Sequence, residues 1–130
     1  MRAHATLRAP GVDAAMRVEL GYPGGVTGRC VWDMDAAERI MTWTVTGTEG
    51  AATSPAFAVP HPDNRLVVTR DGGTSEEVLG DQTSYTYQLA RLAGALRGGP
   101  PFPAGLGGSV ANAELIDECY RRAGLSPRAM

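Results

Sequence analysis

The chain has 130 residues, 14 of them acidic and 12 cationic, with every cation an arginine and none a lysine, so its net charge is −2. One domain of ordinary size is expected at this length. The missing lysine excludes a Schiff-base lysine, the lysine of a phosphate-binding loop and a lysine ammonium as general acid, leaving arginine and the N-terminus as the cations. A nucleic-acid partner is not expected, because the near-neutral charge offers no dense cationic surface to displace counterions from a phosphate backbone. At 43% hydrophobic residues the composition is that of a folded protein. Charges interrupt every apolar stretch well short of the roughly 20 residues a membrane-spanning helix needs. Arg2, His4 and Arg8 stand where a signal peptide would carry an apolar run. A cytoplasmic protein without membrane contact is expected, with Cys30 and Cys119 as reduced, buried thiols.

The first eighty residues read as paired strands, after a short opening strand over residues 2–8. From Val12 to Tyr22, Ala14, Met16, Val18, Leu20 and Tyr22 alternate with Asp13, Arg17 and Glu19, the pattern of a strand with one apolar face. Pro23-Gly24-Gly25 turns the chain. A second strand then places Gly28, Cys30, Trp32 and Met34 on one face and Thr27, Arg29, Val31 and Asp33 on the other. A long Thr-rich strand is expected over residues 39–47, followed by a turn at Thr48-Glu49-Gly50. Shorter strands are expected over 51–57, 65–70 and 74–79, the last two joined by Asp71-Gly72-Gly73. Pro60-His61-Pro62 forms an extended loop, since each proline fixes its own φ and disfavours helix at the residue before it.

After Gly80 the period changes. Tyr85, Leu89, Leu92, Ala93 and Leu96 make one helical stripe behind an N-cap at Thr83 or Ser84, and Gly98-Gly99-Pro100-Pro101 ends it. A second helix is expected from about Ser109 to Ala123, with Val110, Ala113, Ile116, Tyr120 and Ala123 inward and Gly124 as its stop. Strands followed by helices predict an α+β fold, drawn most simply as a single antiparallel sheet of about six strands with both helices on one face. The other face, with Arg17, Glu19, Thr27, Arg29, Val31 and Asp33, is then free to pair with a second copy in a homodimer.

Several segments in order resemble the C-terminal domain of the Gfo/Idh/MocA oxidoreductase family. They are Leu20-Gly21-Tyr22-Pro23-Gly24-Gly25, Val45-Thr46-Gly47-Thr48-Glu49-Gly50, Thr83-Ser84-Tyr85-Thr86-Tyr87-Gln88-Leu89, Gly98 to Pro103, Val110 to Asp117 and Tyr120 to Leu125. The resemblance implies an open sheet that mediates oligomerisation and helps enclose a substrate. It also implies a missing half, because members carry a Rossmann domain first. No G-x-G-x-x-G lies between a strand and a helix here, and the family's Glu-Lys-Pro lysine is absent with every other lysine. No cofactor is therefore expected, and neither is a metal.

Candidate chemistry rests on few residues. His61, in its stiff loop, can titrate near neutrality as an acid or base. Glu19 and Asp33 fall on one face of the first hairpin and can share or relay a proton if buried, beside Arg17 and Arg29 as substrate-binding cations. Trp32, Trp43, Tyr85, Tyr87 and Gln88 can line an apolar pocket between sheet and helices. The expected function is a cofactor-independent isomerase or cyclase acting on an apolar small molecule in that pocket or at a dimer interface. The alternatives are a non-catalytic ligand-binding or dimerisation subunit that partners a Rossmann-domain oxidoreductase, and an excised piece of such an oxidoreductase.

Overall fold

A computed structural model describes residues 1–103 and 105–127. The fold is α+β, with two helices and two antiparallel sheets of three and four strands. Backbone contacts divide it into two compact units, one built from Met1–Ala37 with the described residues from Pro103 onward, the other from Glu38–Phe102.

The first unit holds β1 (Arg2–Ala9), β2 (Val12–Gly21) and β3 (Thr27–Asp33) in that spatial order. The β2–β3 hairpin turns at Pro23–Gly25 and is closed by Tyr22 N–H donating to the Val26 carbonyl at 2.8 Å. The alternation in β2 is realised as expected: Ala14, Met16 and Val18 are buried while Arg17 and Glu19 are exposed. A register shift in the β1–β2 ladder opposite Ala14 re-aims the neighbouring side chains, and Asp13 accepts a hydrogen bond from the Tyr120 hydroxyl at 2.9 Å. Tyr120 belongs to α2 (Leu106–Arg122), so this bond ties the helix to the sheet.

The core is small. Met16 and Val18 are 1% and 2% exposed and cluster with Cys119 of α2, with Ala3, Ala5, Leu20, Tyr120 and Ala123 at the margin. Helix α2 begins earlier than expected and meets the sheet only through its C-terminal turns. Val110, Ala113 and Ile116, expected inward, are exposed. Cys30 is exposed as well, because β3 is the sheet edge and α2 packs chiefly against β1.

The second unit holds β4 (Trp43–Gly47), β5 (Gly50–Ser54), β6 (Arg65–Arg70), β7 (Gly73–Val78) and α1 (Ser84–Leu96). The β6–β7 turn takes the expected form, with Asp71 and Gly72 both at positive φ, 51° and 74°, as a type I′ turn requires. One sheet face is polar, with the hydroxyls of Thr44 and Thr53 at 3.0 Å and Arg65 paired with Glu76. The register puts Trp43, Val45, Ala52, Leu66 and Val68 on the opposite face. Among the described residues of this unit none is fully buried.

The expected single sheet of six strands is thus corrected to two sheets, and the pair of helices on one face to one helix in each unit. The break falls after Asp33. Residues 34–42 include Asp35-Ala36-Ala37-Glu38-Arg39, which has no period-two pattern to pair with β3, and Arg8 pairs with Asp35 instead. The strand expected from Arg39 accordingly starts only at Trp43, with a lone parallel bridge between Met41 and Ala56 before it.

Candidate functional site

The residues proposed from the sequence are scattered over both units rather than gathered at one place. On the outer face of the first sheet, Glu19 sits opposite Arg29 and Arg17 opposite Val31. Asp33 sits opposite Ala15, so the two carboxylates are separated by four residues of strand, about 13 Å along its axis. Arg17, Glu19, Arg29 and Asp33 are all exposed, and no ion pair joins them among the described residues. Trp32 lies on the inner face opposite Met16, 37% exposed at the uncovered edge.

In the second unit, His61 stands in an exposed turn closed by Asp63 N–H donating to the Pro60 carbonyl at 3.0 Å. The neighbouring Asp63 carboxylate is held by Arg65, whose Nε and Nη2 both donate to it at 2.8 Å. Those hydrogen bonds keep the Asp63 carboxyl below the usual carboxylate range, and bonds to Asp63 and then Glu76 raise the Arg65 guanidinium further. Trp43 is exposed on β4. Tyr85, Tyr87 and Gln88 are exposed on α1, where the Tyr87 hydroxyl accepts from the Asp81 backbone N–H at 3.2 Å. Tyr87 therefore braces the start of its own helix, beside the Thr83 side chain that caps it by accepting from Thr86 N–H at 3.2 Å.

An open groove of about 360 Å³ lies beside the β4–β5 turn, and none of the expected site residues lines it. Val45, Ala52 and Val68 form its apolar floor, and Glu49 and Arg70 pair at 2.7 Å on its rim. Gly50 lets β5 run close to β6 there: a Cβ at this position would meet the Thr69 carbonyl oxygen at 2.0 Å. The cross-strand row Val45, Ala52, Val68 was the available signal for this groove, but it appears only once the register is known.

No helix among the described residues is long and apolar enough to cross a membrane, and no group of His, Cys, Asp or Glu among them could hold a metal ion. No protein-family model, curated protein or solved structure matches the chain.

Proposed function

We propose that the chain is a non-catalytic binding and assembly module, built like the C-terminal domain of a Gfo/Idh/MocA oxidoreductase, whose open apolar faces close on a second copy of itself. One observation carries this reading. The chain exposes 10060 Å², whereas even two separate globules of half its 13.6 kDa mass would together expose about 7,900 Å² by the scaling of folded monomers. The surplus of about 2,000 Å² exceeds the roughly 800 Å² each partner contributes to a standard interface. Large apolar side chains exposed on the chain include Trp43, Val45, Leu89, Leu92, Val110 and Ile116.

A catalytic reading asks His61, Glu19 and Asp33 to converge on a closed pocket. Glu19 and Asp33 are solvated and well separated on one sheet face, and His61 is exposed in its loop, so that reading has less to support it. Sedimentation equilibrium on the full chain, paired with thermal unfolding over a range of concentrations, tests the assembly. A dimer whose midpoint rises with concentration is expected. A monomer at every concentration, with the denaturant m-value of a fully buried fold of this length, overturns it.

A further inference from the structure

Both cysteines lie on the inner side of the three-stranded sheet. Cys30 pairs in register with Val18, so the two side chains leave the same face with Cβ atoms about 5 Å apart. Val18 in turn packs in one cluster with Cys119 of α2. A thiol therefore stands on each side of Val18, one on the helix above it and one on the strand beside it. The two thiols also sense each other. Burial, and after it the nearby Cys30, holds the Cys119 thiol above its ordinary range.

Their environments differ in a useful way, since Cys30 is exposed and Cys119 buried. An exposed thiol can meet an oxidant while a buried one beside it resolves the adduct. A disulfide asks for Cβ atoms about 3.8 Å apart. β3 is an edge strand whose inner side chains Cys30 and Trp32 keep contact with solvent, so on its outer edge no further strand resists a shift toward the helix, and only its ladder to β2 has to give.

The geometry points to Cys30 and Cys119 as a redox pair that closes into an intramolecular disulfide, fastening edge strand β3 to helix α2. With glutathione disulfide as oxidant, the Cys30 thiolate attacks one sulfur and expels a glutathione thiolate, leaving a mixed disulfide on Cys30. Cys119 then loses its proton and attacks the Cys30 sulfur, expelling the second glutathione thiolate. Two protein thiols are oxidised, one glutathione disulfide is reduced, and the two cysteine protons end on the two glutathione molecules. Because burial holds the Cys119 proton, the second step accelerates as pH rises.

The test treats the native full chain with excess glutathione disulfide, quenches with acid, and reads intact mass, free thiols and thermal unfolding. The expected product is one chain lighter by two hydrogens, in which neither cysteine reacts with iodoacetamide. Its unfolding midpoint rises by at least roughly 5 °C, because the cross-link closes a loop of about 90 residues. Cys119→Ser is expected to stop at the glutathione adduct on Cys30. A wild-type chain that also stops at that adduct, or one that ends as a dimer linked through Cys30 of two copies, overturns the assignment, and the wild-type mass alone decides this if the variant fails to fold.

Discussion

Met16→Ala removes the most deeply buried side chain of the first unit, 1% exposed. Truncating a buried methionine to alanine costs about 2 to 5 kcal/mol, and the spread reflects how far the surroundings close over the cavity. Two features place this site in the lower half of that range. The cluster is enclosed by one sheet and one helix, with small Ala3 and Ala5 at its margin, and the Cys30 and Trp32 side of the sheet is open. A loss of about 2.5 kcal/mol is expected, roughly a seventyfold fall in the folded-to-unfolded ratio. Urea unfolding followed by Trp32 fluorescence in a Trp43→Phe background reads it directly, since Trp32 sits opposite Met16 in register. Val68→Ala, at a half-buried position of the second sheet, is expected to cost about 1 kcal/mol or less in the same assay followed by circular dichroism. An unchanged midpoint for Met16→Ala, or an equal loss for Val68→Ala, would show that the buried cluster is not where the stability resides.

Gly50→Ala is expected to destabilise the second sheet by roughly 3 kcal/mol or more, because the new methyl group collides with the Thr69 carbonyl while φ stands at 156°. Loss of amide-exchange protection confined to β4, β5 and β6 is the readout, and full protection would contradict the close approach. Tyr120→Phe deletes the hydroxyl that donates to Asp13 and should cost about 1 to 2 kcal/mol in chemical unfolding. Arg122 and then Arg121 hold the Glu118 carboxyl low through hydrogen bonds. A carboxyl lowered by folding contributes its stability above the unfolded value, here near 4.5, and loses it as pH falls through the folded one. Wild-type helicity should therefore decline below about pH 4.5 with a component that Glu118→Gln lacks, and coincident acid titrations by circular dichroism would dismiss the pairing.

The elements that depend on neighbouring residues were legible in the sequence. The alternation from Ala14 to Leu20, the Asp71-Gly72 turn and the Thr83 cap all sit where local stereochemistry puts them. The number of sheets was not legible, because it turns on a negative: residues 34–42 lack a pairing pattern, and strand signals on either side do not say that the ladder between them is broken. The site candidates suffered from a related gap. Period-two alternation placed Glu19, Arg29 and Asp33 on one face correctly, but alternation cannot distinguish a face that closes over a pocket from one that meets water.

Helix α1 shows what that gap implies for assembly. Its stripe of Tyr85, Leu89, Leu92 and Leu96 is as periodic as any in the chain, yet all four are exposed, Leu96 by 80%. A helix of 13 residues has marginal stability on propensity alone, so its apolar face asks for cover. The charges that flank the groove of the same unit do not. Arg65 is paired with Asp63 and Glu76, and Arg70 with Glu49, so on the sheet of this unit the exposed apolar area is the larger demand. Association through this unit is therefore expected to change little between low and high salt, since screening acts on charge and not on apolar burial. The outer face of the first sheet is the opposite case, with Arg17, Glu19, Arg29 and Asp33 exposed and free of ion pairs among the described residues. Sedimentation at two ionic strengths separates the two faces. A dimer that dissociates as salt rises would place the contact on that charged face and refute the apolar one.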